Sequence, residues 1–72
     1  EQKETGSAIN VFKLNVKYHP NSWNAYDSLG DAYVKDKQYE PALVCYEKSL
    51  EFKSDNENAL KQIKKIRKCL RH

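Results

Sequence analysis

The amino-acid sequence predicts an all-α protein built from about four antiparallel helices. Apolar residues recur every three or four positions in four separate segments, which is the spacing of one face of an α-helix. Only a few turn-forming residues separate the segments, so neighbouring helices should pack antiparallel as hairpins. Apolar and polar residues do not alternate, and the chain has two glycines and two prolines, so no β-hairpin is predicted.

The first helix is predicted from about Thr5 to Tyr18. Thr5 is a suitable N-cap, because its side chain can accept a hydrogen bond from the first turn. The helix should stop before Pro20, since the residue preceding a proline is disfavoured in the α region. Its apolar stripe consists of Ala8, Ile9, Phe12 and Val16.

The two middle helices are predicted from about Trp23 to Lys35 and from about Tyr39 to Phe52. Ser22 caps the former, residues 36–38 form a polar turn, and Pro41 fits the first turn of the latter, where a missing N–H costs nothing. Their inner faces consist of Trp23, Tyr26, Leu29, Gly30 and Tyr33, and of Ala42, Leu43, Tyr46, Ser49 and Leu50.

The last helix, about Glu57 to Leu70, carries most of the positive charge. Asp55 or Asn56 should cap it. Residues 57–72 contain six Lys or Arg and one acidic residue, a net charge of +5, whereas residues 1–56 sum to −2. Its predicted apolar stripe consists of Leu60, Ile63, Ile66 and Leu70.

Length and composition exclude several classes of function. A chain of 72 residues buries only about 60% of its unfolded surface, which leaves little room for an active-site cavity. His19 and His72 lie far apart, and no catalytic, metal-ligand or phosphate-loop pattern can be assembled. We therefore expect no enzyme activity, no metal and no cofactor. No apolar run is long enough for a membrane span. The first residue is Glu1, so we expect a piece of a longer protein, and its compartment stays open.

The two cysteines, Cys45 and Cys69, are 24 residues apart and lack metal-site spacing. We expect ordinary thiols. A disulfide is the weaker alternative, because nothing in the sequence brings the two Cβ atoms together.

A spacing of 34 residues relates the two halves of the chain. It pairs Ala8 with Ala42, Phe12 with Tyr46, Tyr26 with Leu60, and Leu29 with Ile63. Residues 26–46 read Tyr-x2-Leu-Gly-x2-Tyr followed by Ala-x3-Tyr, which closely resembles the tetratricopeptide repeat. The resemblance implies a partial repeat over residues 5–19, a full repeat over 23–56 and a capping helix over 57–71. Gly30 and the small Ala42 should let the two middle helices approach closely.

The last helix departs from the repeat pattern. Lys64 stands where the pattern has Gly, and Arg67 where it has Tyr. A large charged side chain at the close-approach position should stop a further helix from docking, as a terminal cap requires.

The resemblance implies a protein–protein interaction or scaffolding module whose partner is a peptide or helix held in a groove. The polar rows that would line the groove are Asn24, Asp27, Asp31 and Lys35 on one helix and Asn58, Lys61, Lys65 and Lys68 on the other. The alternative is that these rows pair with each other or are simply solvated. A carboxylate clamp of the kind some family members carry is disfavoured, because Ser28 stands where the clamp's Asn should be.

A second candidate surface lies on the first helix, which lacks the partner that its own repeat would supply. We expect one side of it, with Ile9, Val11, Phe12 and Leu14, to be uncovered. An exposed apolar patch usually marks an interface, so this side is predicted to pack on an upstream domain or to form a homodimer.

Two further hypotheses stay open. The basic last helix could bind nucleic acid or an anionic surface, although cations near a helix C-terminus also favour the macrodipole. The wording of residues 8–33 also resembles short repeat tails of bacterial serine esterases and β-lactamase-like hydrolases. That resemblance implies an accessory tail whose first helix leans on a catalytic domain.

Overall fold

Four α-helices account for most of residues 2–70, the part of the chain that the computed structural model describes, with side chains from residue 8 onward. They are α1 (Gln2–Tyr18), α2 (Trp23–Lys35), α3 (Tyr39–Phe52) and α4 (Glu57–Leu70). Each helix packs on the next one in the sequence, and residues 2–70 contain no strand. The Cα atoms span 29 × 27 × 14 Å, a thickness of about two helix layers. The predicted all-α hairpin fold is confirmed.

The ends of α2 follow from local hydrogen bonds. The Ser22 hydroxyl accepts a hydrogen bond from the Ala25 N–H at 3.2 Å, as predicted for the cap. At the other end Lys37 has a φ of 61°, the Lys37 N–H donates to the Val34 carbonyl and the Gln38 N–H to that of Tyr33. These two bonds form a Schellman motif, which reverses the chain into α3.

The outer helices begin differently from one another. The predicted N-cap of α1 is wrong, because the helix begins at Gln2 and Thr5 lies inside it. Residues 2–4 (Gln-Lys-Glu) are good helix formers, so nothing stops the helix at Thr5. In α4 the cap is Asn56, whose Oδ1 accepts a hydrogen bond from the Ala59 N–H at 3.4 Å.

The contact between α2 and α3 is close because Gly30 has no side chain. A Cβ atom placed there would lie 2.7 Å from the ring of Tyr46, well inside van der Waals contact. Tyr46 and Ala42 are fully buried. One turn away the ring of Tyr26 stacks on Phe52, with 5.9 Å between ring centroids. The predicted close approach of the two middle helices is therefore present.

Two clusters of buried residues form the core. One lies between α3 and α4, with Tyr33 and Val34 of α2 packed against it, and the other joins α1, α2 and α3. The former consists of Ala42, Tyr46, Ala59, Ile63 and Ile66. The latter consists of Ile9, Leu29, Ala32 and Cys45.

The predicted inner stripe of α4 is partly wrong. Ile63 and Ile66 are buried, but Leu60 is 50% exposed and Leu70 is also exposed, while Ala59 takes a place in the core. Successive residues on a helix are 100° apart, so Ala59 and Leu60 cannot both point at α3. The side of α4 that carries Leu60 is exposed, as Lys64 and Lys68 on the same side also are.

Candidate functional site

Polar side chains join α2, α3 and α4 through a network that includes three of the predicted groove residues, Asp27, Asp31 and Asn58. Asp27 accepts hydrogen bonds from the side-chain amides of Asn56, at 3.2 Å, and Asn58, at 2.9 Å. Asn56 is buried and also donates to the Ser49 hydroxyl at 2.8 Å. The network therefore fixes α4 against both middle helices.

Asp31 extends the same network one turn further along α2. It accepts hydrogen bonds from the Tyr46 hydroxyl and, at 3.4 Å, from Asn58. Burial raises the pKa of Tyr46, and the hydrogen bond to Asp31 raises it further, so the phenol stays neutral and acts as the donor. Among the described side chains, no cation lies within ion-pair distance of Asp27 or Asp31. The two carboxylates are therefore held by neutral donors.

The remaining predicted groove residues are free at the surface. They make no hydrogen bond or ion pair with another side chain in residues 8–70. This set consists of Asn24, Lys35, Lys61, Lys65 and Lys68, all exposed. The acidic and basic rows therefore do not neutralise each other, and the only link between them is from Asn58 to the two aspartates. Such a surface can attract a segment that carries both signs of charge.

Sequence reasoning missed three members of this network. The sequence predicts Asn56 only as a helix cap, and Ser49 and Tyr46 only as members of the inner face of α3. Tyr46 bonds to Asp31 from 15 residues away in the chain, and Asn56 bonds to Asp27 from 29 residues away. Ser49 accepts a hydrogen bond from Asn56. The single available signal was a polar residue, Ser49, on an otherwise apolar stripe, because a buried polar group requires a partner.

The outer side of α1 carries a second candidate surface. Val11, Leu14 and Tyr18 are 61%, 52% and 72% exposed. Their spacing of three and four residues places them in one row, which we call the α1 outer stripe. The helix is therefore apolar on two opposite sides, because its inner side already packs on the core.

The predicted self-association residues require a correction. Ile9 is only 6% exposed and belongs to the core cluster of Leu29 and Cys45, so it is not part of a free surface. Phe12 is half-buried and packs on the same cluster. Of Ile9, Val11 and Phe12, Val11 alone lies on the exposed side. The sequence shows both apolar sides of α1, but which side faces the core depends on the packing of α2.

A small hollow separates α1 from the neighbouring surface of α2. Its volume is about 190 Å³, room for one side chain. Its lining residues are Ala8, Phe12, Ser28, Asp31, Ala32 and Lys35. The exposed part of Phe12 thus lies beside two of the predicted groove residues, Asp31 and Lys35.

No protein-family model, curated protein or solved structure matches this chain. Within the described residues, no group of three or more His, Cys, Asp or Glu side chains is placed to hold a metal ion. Both thiols are free, with Cys45 buried and Cys69 exposed. None of the helices over residues 2–70 combines the length and apolarity of a membrane span.

Proposed function

We propose that this chain is a protein–protein interaction module and that the α1 outer stripe is its principal docking surface. The observation that carries the proposal is the exposure of Val11, Leu14 and Tyr18 in one row, opposite a buried inner side. A helix normally buries an apolar side against a neighbour, and α1 has a second apolar side left exposed. The tetratricopeptide-like motif of residues 26–46 supports the same class of function.

The chemistry of the stripe defines the partner surface. Large apolar groups at positions i, i+3 and i+7 are the anchors with which a helix packs on another helix or in an apolar groove. A second copy of the chain offers the same row, so a symmetric pair of α1 helices is the first arrangement to test. A neighbouring domain with an apolar helix surface is the other source of such a partner.

The test is the solution mass of the protein over a concentration series, measured by sedimentation or light scattering. Leu14→Asp places a charge in the middle of the stripe, and Asn21→Asp adds the same charge at an exposed position outside α1. We expect dimers that Leu14→Asp weakens at least tenfold and Asn21→Asp leaves unchanged. Both variants should keep the circular dichroism of the parent, because neither position is in the core.

Dimers that withstand Leu14→Asp would show that the α1 outer stripe is not the interface. A monomer at every concentration would exclude self-association and leave a neighbouring domain as the partner of α1. Phe12 and Ile9 are unsuitable for this test, because polar substitutions there would disturb the core.

The groove between α2 and α4 is a second candidate surface for the same class of function. The specific observation in its favour is that Asp31 accepts hydrogen bonds from the neutral side chains of Tyr46 and Asn58, while Lys61 and Lys65 are exposed on α4. Amide chemical-shift mapping with an extended peptide that carries both lysine and glutamate tests it. Shifts confined to α2 and α4 and lost in Asp31→Asn would support this surface, and shifts elsewhere would contradict it.

A further inference from the structure

A hollow of about 600 Å³ lies on the outer side of α4. Its lining residues occupy positions i, i+3, i+4, i+7 and i+8 of the helix, which form one continuous face. They are Leu60, Ile63, Lys64, Arg67 and Lys68. Four of these residues are exposed, and Ile63 alone is buried, against the core cluster of α3 and α4. We call this face the α4 outer hollow.

Each lining residue lies 34 positions after a residue of α2 that faces α3. The corresponding residues of α2 are Tyr26, Leu29, Gly30, Tyr33 and Val34. Tyr26 stacks on Phe52, Gly30 meets the ring of Tyr46, and Leu29 shares a core cluster with Cys45. Tyr33 and Val34 pack on the cluster that contains Ala42 and Tyr46. On α2, therefore, this set of positions holds an antiparallel helix.

We propose that the α4 outer hollow is a docking site for an acidic amphipathic helix of a partner protein. The shape argument is the equivalence with α2, where the same five positions receive α3. The charge argument is that Lys64, Arg67 and Lys68 replace the uncharged Gly30, Tyr33 and Val34. This surface is distinct from the α1 outer stripe, and neither proposal depends on the other.

The two ends of the hollow favour different side chains on the partner helix. Leu60 is 50% exposed and lies with Ile63 toward the N-terminal half of α4, so this end requires an apolar anchor. The three cations lie toward the C-terminal half. A helix that runs antiparallel to α4, as α3 does to α2, places its own N-terminal half beside them. Carboxylates in that half also favour the partner's macrodipole.

Lys64 sets the distance at which the partner lies. Because Gly30 admits the Tyr46 ring and Lys64 cannot, the partner helix stands farther from α4 than α3 does from α2. The sequence expectation that Lys64 stops a further helix thus applies to close packing alone. A more distant helix leaves room for the lysine side chain to reach a carboxylate.

Arg67 already binds a carboxylate in this position. Its guanidinium donates to Glu47 of α3 at 3.2 Å, with both side chains more than half exposed. Such an exposed pair contributes little to stability, so a partner carboxylate can share or replace it.

The apolar floor distinguishes this face from a phosphate-binding surface. Contacts to a nucleic-acid backbone use cations and hydrogen-bond donors, and they gain nothing from Leu60 or Ile63. An amphipathic helix uses both the apolar floor and the cations, and we therefore favour it over nucleic acid as the occupant.

The test is fluorescence anisotropy of a labelled synthetic helix with acidic residues in its N-terminal half and leucines at i, i+3 and i+7. A peptide of the same composition with the helical spacing scrambled, and a short DNA duplex, are the comparison probes. The protein variants are Leu60→Gln and the double variant Lys64→Glu/Lys68→Glu. The matched control is Lys13→Glu/Lys17→Glu, the same charge change at two exposed positions of α1.

We expect the amphipathic peptide to bind at least tenfold more tightly than the scrambled one. Leu60→Gln and Lys64→Glu/Lys68→Glu should each weaken its binding at least tenfold, and the α1 control should change it less than threefold. Leu14→Asp should leave it unchanged, which separates this proposal from that for α1.

Three results would overturn the proposal. The first is that the amphipathic peptide does not bind. The second is that the α1 control weakens its binding as much as the α4 variants do. The third is that the scrambled peptide binds as tightly as the amphipathic one. Tighter binding of DNA with a steep salt dependence would assign the hollow to nucleic acid instead. Self-association lost in Lys64→Glu/Lys68→Glu would assign it to a second copy.

Discussion

Five positions of α2 and the five positions 34 residues later in α4 form two different surfaces. On α2 they form a closed face, which α3 covers, and on α4 they form an open face, which is largely exposed. Leu29 and Ile63 are buried in both places, so the difference lies in their neighbours. On α2 a glycine and aromatic rings allow α3 to pack closely. On α4 Lys64 and Arg67 stand at the corresponding positions, beside an exposed Leu60. The two faces thus differ most where α2 has one small residue and α4 has one long cation.

The closed face includes a glycine that disfavours the helix, and the open face has no such residue. Glycine inside a helix is about 1 kcal/mol less favourable than alanine. On α2 the burial of Tyr46 against Gly30 offsets this loss, because burying a large aromatic side chain contributes several times as much. At position 64 no such packing is present, and lysine is the better helix former.

Exchanging Gly30 and Lys64 should have the largest effect on stability. Gly30→Lys places a side chain where the Tyr46 ring lies, so we expect a loss of about 3 kcal/mol or more in the free energy of unfolding, up to failure to fold. The reverse change, Lys64→Gly, should cost no more than about 1 kcal/mol, the difference in helix propensity. Denaturant melts measure both. Similar losses for the two variants would contradict the distinction between a closed and an open face.

A matched pair of leucine truncations sharpens the comparison. Leu29→Ala removes a buried side chain and should cost about 2–5 kcal/mol. Leu60→Ala removes a half-exposed one and should cost less than about 1 kcal/mol, since its surroundings are mostly solvent. Thermal melts followed by circular dichroism distinguish the two. A Leu60→Ala variant as unstable as Leu29→Ala would mean that a helix covers the α4 face in solution.

The smallest expected effect is a loss of stability at alkaline pH. Burial raises the pKa of the Cys45 thiol to about 11, against about 9 when it is unfolded. The contribution of the buried neutral thiol to the free energy of unfolding is thus fully present below pH 9. Between pH 9 and 11 the unfolded chain loses a proton that the folded chain keeps, so the free energy of unfolding falls. Tyr46 acts in the same direction above pH 10.

We expect the fall in the free energy of unfolding between pH 9 and 11 to be about 1–2 kcal/mol smaller in Cys45→Ala than in the parent protein. Urea melts at several pH values measure it. Cys69→Ala removes an exposed thiol and is the control. An unchanged pH dependence in Cys45→Ala would show that the thiol titrates alike in both states.

The sequence predicts most of this fold because its signals are local. The bounds of α2, α3 and α4 follow from caps, turn residues and apolar spacing, all within a few positions of each helix end. Gly30 predicts the close contact because glycine inside a helix is costly unless packing requires it. The start of α1 is predicted wrongly, since Thr5 has the chemistry of a cap but its upstream neighbours are equally good helix formers.

The candidate surfaces are less predictable because they depend on contacts between distant residues. Ile9 and Val11 are both apolar and two positions apart, yet one is core and the other surface. Periodicity does not decide which side of α1 meets α2. Asn56 and Asp27 give no sign in the sequence that they bond, because they meet only after α4 folds back on α2. Leu60 keeps the helical spacing of a core residue but is half exposed.

The α1 outer stripe and the α4 outer hollow lie on the first and the last helix of the fold. α1 and α4 lie at opposite ends of the series of packed helices, with α2 and α3 between them in that series. Partners bound to both would be held at a separation fixed by folded protein instead of a flexible tether. A rigid spacer of this kind raises the effective concentration of one partner near the other when its length matches their span. An insertion in the 36–38 turn would then change how the two partners meet without touching either surface.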